Sequence, residues 1–313
     1  MYGCPGLLAQ RRSACRDAWL SATPPSPMVL EGRLVRYAPG AAQRVAFISP
    51  LRRSSSTAPP LACITLGGLT DGLLAAPWVS PLAEALPTHC QLVQPLLRSS
   101  YGGYGVCTLD DDVADLDLLV AYLMDAERFA GVALIGHSTG CQDAVHFVKT
   151  GERRGAVRAV VLQAPVSDRE YAATLGGEAH EALARATKMV QEGRGDELMR
   201  RRDNYDGTPI TAHRLHSLGA KGGQDDLFSS DFSEDERRAL LGHLRGTPTL
   251  VLTSGADEYV PKHIDKASLT ANIAHACGGE GEIVEGADHA CGGDATGDAV
   301  RHMVAFIERV DYK

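Results

Sequence analysis

Val132-Ala133-Leu134-Ile135-Gly136-His137-Ser138-Thr139-Gly140 decides the reading of this chain. A short apolar run, Val132 to Ile135, ends on a glycine-flanked serine, and Cys141 to Val148 follows with a helix-compatible pattern. This is a G-x-S-x-G string in a strand–turn–helix setting, the context in which a serine hydroxyl is lifted above a sheet as a nucleophile. Glycines two residues either side of Ser138 suit such a turn, because it is strained and side chains there would collide with neighbouring backbone. The serine would also sit at a helix N-terminus, where free N–H groups and the helix dipole favour developing negative charge. The same five residues fit an ordinary serine N-cap. An acid and then a histidine further along the chain separate the two readings.

Outward from the elbow, short apolar runs alternate with helical patterns, which predicts an α/β fold with a mostly parallel twisted sheet and helices on both faces. Strands are expected at 33–37, 45–48, 62–66, 91–94, 132–135, 157–162, 249–252 and 282–284. Helices are expected at 73–86, 113–128, 138–150, 264–276 and 298–310. Asp110, Asp111 and Asp112 precede the second helix and read as acids favouring a helix start rather than as metal ligands. From about 168 to 245 the alternation stops. The segment is polar, charged and helix-prone, with joints at Gly176-Gly177, Gly193-Arg194-Gly195 and Gly222-Gly223. An insertion of that size between two core strands reads as a cap over the site, shaping the pocket and excluding water.

The required partners follow in order. The run Thr249–Leu252 leads into Thr253–Pro261, and an acid just past the C-terminal end of a strand lies on the ligand-facing edge of the sheet. Asp257 is the expected triad acid, with Glu258 in reserve. After the last predicted strand comes Glu285-Gly286-Ala287-Asp288-His289. His289 can reach back over the sheet edge, whereas His137 is expected to point elsewhere, His146 lies in the helix after the serine, and His213 and His216 lie in the cap. Asp288 is badly placed to orient its own neighbour and can serve nearby backbone instead. Two backbone N–H groups would form the oxyanion hole. One is Thr139, after the nucleophile, and the other is Leu69, in the Gly67-Gly68 loop after the third strand.

Composition narrows the rest. A chain of 313 residues accommodates one large α/β domain with an insertion. Its formal charge of −8 and lack of dense basic clusters argue against nucleic acid as a partner. Arg200-Arg201-Arg202 is followed at once by Asp203 and Asp206, and reads as a solvated helix end. No apolar run approaches the roughly 18 residues needed to span a bilayer. The eight cysteines include no C-x-x-C pair, so they read as free thiols in a reducing compartment, with no zinc site. Residues 1–27 carry Arg11, Arg12 and Arg16 and end in a Thr23–Pro27 breaker cluster. They read as an extension, disordered or transit-like, on a cytoplasmic protein. Ser54–Thr57 reads as a surface loop.

Four strings together carry a family resemblance: Gly136–Asp143, Leu162–Glu170, Gly67–Gly72 and Ser254–Pro261. Ser99–Gly105 and Asp225–Asp231 extend it over about residues 30–310. The chain resembles the α/β-hydrolase family that contains the fungal fusarinine C (siderophore) esterases, long catalogued as a family of unknown function. The resemblance implies an α/β-hydrolase fold with a cap and ester hydrolysis by a triad that corresponds to Ser138, Asp257 and His289. The expected protein is a serine esterase that cleaves a small or medium-sized ester through an acyl-enzyme, without cofactor or metal. Siderophore-type esters are one substrate assignment. Acyl transfer or thioester hydrolysis by the same triad is the enzymatic alternative, and small-molecule binding on a hydrolase shell the non-enzymatic one. Substrate and oligomeric state are left open by the residues.

Overall fold

Alternate residues of the central strands belong to opposite layers. From β3 (Leu61–Leu66), Ala62, Ile64 and Leu66 join one apolar cluster, and Leu61 and Cys63 join another. The same split runs through β5 (Gly131–His137), where Val132 and Leu134 face one layer and Ala133 and Ile135 the other. Every residue of both strands is buried. A strand covered on both faces reads as a continuous apolar run, which is why these segments lack polar alternation.

The computed structural model describes residues 28–40, 44–52 and 59–310. The 1–27 extension, Cys4, Cys15 and the Ser54–Thr57 loop lie outside the described residues. Eight strands form one sheet. Beside β3 and β5 these are β1 (Arg33–Arg36), β2 (Val45–Ile48), β4 (Cys90–Leu96), β6 (Val157–Gln163), β7 (Thr249–Ser254) and β8 (Glu280–Val284). Their order is β1-β2-β4-β3-β5-β6-β7-β8. Pairings among β4, β3, β5, β6, β7 and β8 are parallel, while β1–β2 and β2–β4 are antiparallel. One face is covered by α1 (Val79–Ala85) and α9 (Ala295–Arg309). The other is covered by α2 (Leu109–Asp125), α3 (Gly140–Thr150) and α8 (Lys266–Cys277).

Two helices begin elsewhere than their pattern predicts. The stretch 73–86 is helical only from Val79. Pro77 disfavours helix in the residue before it, and Leu74 is held at φ 59° with its N–H donated to Gln94 Oε1 at 2.7 Å. Helix α2 starts at Leu109 rather than 113, because Thr108 and Asp111 close a reciprocal capping box. Asp110 and Asp112 thus fall inside the first turn.

Between β6 and β7 the chain runs through α4 (Asp168–Ala173), α5 (Gly177–Gln191), α6 (Ala212–Gly219) and α7 (Glu234–Leu241) without adding a strand to the sheet. Ala186, Met199, Ile210, Ala212 and Leu218 form a small apolar cluster with Tyr104. Leu227, Phe228, Leu241 and Leu244 belong instead to the main core. Arg200 precedes a single 3-10 turn that Arg201 opens, and Arg200 is paired with Asp203 at 3.0 Å. Among the described residues, no helix is long and apolar enough to cross a membrane.

Candidate active site

The turn from β5 into α3 is sharp because its glycines allow backbone to meet backbone. A Cβ on Gly136 would stand 2.4 Å from the Gly140 carbonyl oxygen, and one on Gly140 would stand 2.3 Å from the Leu66 carbonyl oxygen. Ser138 between them has φ 53°, a left-handed conformation that costs a non-glycine residue about 1–3 kcal/mol. Its N–H donates to the Gln163 carbonyl at 3.1 Å, and its carbonyl accepts from Cys141 N–H at 2.9 Å. The residues on either side of Ser138 are buried, and the serine itself is half-buried.

Ser138 and His289 line one cavity of about 260 Å³, together with Gly68, Leu69, Asp71 and Asp168. His289 Nδ1 lies 2.8 Å from Asp257 Oδ2, and both residues are buried. The other carboxylate oxygen of Asp257 accepts Tyr259 N–H at 2.9 Å. Lys266 pins this loop from α8 by donating to the carbonyls of Gly255 and Asp257 at 3.0 and 3.1 Å. Glu258 does a different job from its neighbour, since its Oε2 accepts the backbone N–H of His289 at 2.9 Å. Asp288 accepts Gly292 N–H at 2.7 Å. The ring of Tyr259 stands edge-on to His289, with centroids 4.6 Å apart.

The Gly67-Gly68 loop reaches the serine directly: a Cβ on Gly68 would lie 2.7 Å from Ser138 Cβ and 3.1 Å from its Oγ. Asp71 shapes the loop, its Oδ2 accepting Gly68 N–H at 2.7 Å. The N–H groups of Leu69 and Thr139 have no hydrogen-bond partner among the described residues. Leu69 lines the cavity.

A match to the family described as "Protein of unknown function (DUF1749)" runs over residues 26–310. The chain belongs to that family. This DUF1749 chain is 31% identical over 263 residues to a UPF0613 protein of Schizosaccharomyces pombe, covering 76% of this chain and 83% of the relative. It is 30% identical over 303 residues to fusarinine C esterase sidJ of Aspergillus fumigatus, covering 77% and 86%. Among solved structures, siderophore hydrolase EstB from Aspergillus fumigatus superposes with a TM-score of 0.74 at 26% identity, covering 90% of this chain and 97% of that one. The fold is that of the α/β-hydrolases, and the DUF1749 sheet described above is its mostly parallel core.

Several residues of this DUF1749 site escape sequence reasoning. His137 does not point away from it. Its ring lines the cavity, with its centroid 4.9 Å from that of His289, because Gln163 Oε1 holds His137 Nδ1 at 2.6 Å. Burial, with the His289 ring beside it, pushes the His137 imidazole down to about 4, so it is neutral at ordinary pH. Gln163 is fully buried at the end of β6 and also accepts Trp78 Nε1–H at 3.3 Å. Its Nε2 donates to the His289 carbonyl at 3.1 Å and to Ser254 Oγ at 3.2 Å. A glutamine closing an apolar run gives no periodic signal, so only its position at a strand end could have marked it. Asp168, in the first turn of α4, is pushed up to about 7 by burial and by the charge of Asp225. Asp71 is raised by burial. Tyr104 and Tyr205 line the cavity, whereas Trp78 and Phe228 are core and Tyr101 is exposed.

Beneath this site Asp112 of α2 and Asp143 of α3 are buried with Arg214 of α6, which is ion-paired to Asp225. Burial pushes the Asp112 carboxyl up to about 7, and raises Asp143 well above the usual carboxylate range with Asp112 adding to it. His146 is bonded to Asp110 at 2.6 Å. Among the described residues no cluster of three or more His, Cys, Asp or Glu side chains is arranged to hold a metal ion.

Proposed function

We propose that this protein is a serine esterase acting on a small or medium-sized carboxylic ester through an acyl-enzyme. The observation that carries this reading is the 2.8 Å contact between His289 Nδ1 and Asp257 Oδ2, at the edge of a cavity that Ser138 also lines. A buried carboxylate on Nδ1 fixes the imidazole tautomer, leaving Nε2 as the base, and stabilises the imidazolium that forms. Ser138 Oγ attacks the ester carbonyl as His289 takes its proton. The Leu69 and Thr139 N–H groups receive the oxyanion, each worth roughly 10²–10³ in rate. His289 then protonates the departing alcohol, and water, activated by the same imidazole, releases the acid.

The segment at about 168–245 is the cap in this reading, its α4 and α6 sides lining the cavity through Tyr171 and Leu215. The substrate is a neutral or cationic ester, since Asp71 and Asp168 line the cavity with no Lys or Arg side chain among its lining residues. A siderophore-type ester is the assignment that the relative named for fusarinine C suggests. Among the described residues six cysteines are free, which supports a reducing, cytoplasmic setting.

A fluorophosphonate probe and short-chain p-nitrophenyl esters test the mechanism. Wild-type protein is expected to label covalently and turn over; Ser138→Ala is expected to lose both. Full labelling and turnover by Ser138→Ala would remove Ser138 as the nucleophile.

A further inference from the structure

A second cavity of about 320 Å³ opens within the inter-strand segment beside the first. The two share six lining residues, Ala172, Leu175, Asn204, Tyr205, Leu215 and Gly219, so they are neighbouring chambers with a common partition. Beyond that partition the second chamber is walled by Ala173, Ala179 and Leu183. Its charged rim is already neutralised. Arg169 is paired with Asp226 and Asp231, Lys221 with Asp231, and Asp203 with Arg185 and Arg200. His180 Nδ1 is bonded to the Gly176 carbonyl at 2.8 Å. Each Arg, Lys and Asp side chain lining this chamber thus already has an ionic partner. The partition itself carries two large apolar side chains left open to water, with Leu175 at 42% and Tyr205 at 63% exposure. Water-exposed apolar groups set between two concave chambers gain most when a ligand covers them.

We infer that the second chamber is a subsite for an uncharged aliphatic arm of the substrate, which crosses the Leu175–Tyr205 partition while its ester lies at Ser138. This rests on the esterase reading and deepens it, because it makes the preferred ester an amphipathic one: polar at the tyrosine- and aspartate-lined chamber, aliphatic beyond it. Gly219 keeps the passage open, since a Cβ there would stand 3.2 Å from Leu183 Cδ1.

The test compares p-nitrophenyl acetate, butyrate, hexanoate and octanoate. For wild-type protein kcat/KM is expected to rise roughly fourfold per added methylene buried. Ala179→Phe fills the second chamber from α5, and its octanoate-to-acetate ratio of kcat/KM is expected to fall at least tenfold. Leu183→Ala enlarges the chamber and is expected to shift the preference to longer chains. An unchanged ratio in both variants, or a flat wild-type series, overturns the subsite. Binding is read apart from chemistry by calorimetry on Ser138→Ala protein, with N-methyloctanamide (the octyl probe) against N-methylacetamide. Tighter binding of the octyl probe that is lost in the Ser138→Ala, Ala179→Phe double variant supports the chamber even if no ester is hydrolysed. Equal binding of the octyl probe with and without Ala179→Phe counts against it even if esters are hydrolysed.

Discussion

Gln163 donates its side-chain Nε2–H to the main-chain carbonyl of His289 at 3.1 Å, tying the end of β6 to the loop that carries the proposed base. The other end of the same carboxamide holds His137 Nδ1 and Trp78 Nε1. One fully buried amide therefore sets the positions of two neighbouring imidazoles. Replacement by leucine leaves His137 Nδ1, Trp78 Nε1, the His289 carbonyl and Ser254 Oγ without this partner. It is expected to lower stability by about 2–4 kcal/mol and kcat by about 10–100-fold. Gln163→Glu brings a carboxylate beside His137, so the imidazole titration should move upward from about 4, and NMR titration of that ring reads the shift. A His137 titration that stays put in Gln163→Glu would show that the amide does not control this ring.

Adjacent acids at 257 and 258 should separate by kinetics. Asp257 faces the imidazole and Glu258 the backbone N–H of the same histidine. Asp257→Asn is expected to cost about 10⁴ in kcat, because an amide neither fixes the tautomer nor stabilises the imidazolium. Glu258→Gln keeps an acceptor for the N–H and should cost less than about tenfold. Single-turnover kinetics with one activated ester makes the comparison, and equal losses would contradict the assigned roles.

Two glycines near the serine should fail in different ways. A methyl placed on Gly68 would press on Ser138 itself, at 2.7 Å from Cβ and 3.1 Å from Oγ. Gly68→Ala should therefore lower kcat/KM by about 100-fold or more with a modest change in Tm. A methyl at Gly140 would meet the Leu66 carbonyl at 2.3 Å, and the end of a central strand cannot yield. Gly140→Ala should lose stability first, by several kcal/mol in urea unfolding. A Gly140→Ala protein with wild-type Tm would argue that the elbow is looser than drawn.

The central strands were legible because they are buried on both faces, and such strands leave unbroken apolar runs at Leu61–Ile64 and Val132–Ile135. Ser138 and its glycines were legible because a crowded turn restricts which residues fit. The Gln163 hub, the inward turn of His137 and the second chamber were not, since each depends on contacts made across the fold. Gln163 meets His289 from 126 positions away, and no local pattern encodes that meeting. The start of α2 departs from its pattern for a local reason. The acids at 110–112 read as flanking the helix, whereas Thr108 caps it and Asp112 turns inward.

That inward turn makes stability depend on pH with a definite sign. Asp112 is pushed up to about 7 by burial, with Asp115 adding to the effect and the Ser99 hydrogen bond and Arg214 opposing it. Asp143 beside it is raised as well. An unfolded aspartate titrates near 3.9, so between about pH 4 and 7 the folded chain holds a proton that the unfolded chain has released. Raising the pH through that window therefore destabilises the fold, and the full penalty is present above about 7. Asp112→Asn removes the charge while keeping the shape. It is expected to be more stable than wild type by about 1–3 kcal/mol at pH 8, with the difference closing as the pH falls towards 4. Urea unfolding at pH 8, 6 and 4.5 reads it directly. A difference independent of pH, or one that grows on acidification, would mean that Asp112 is held charged in the native protein.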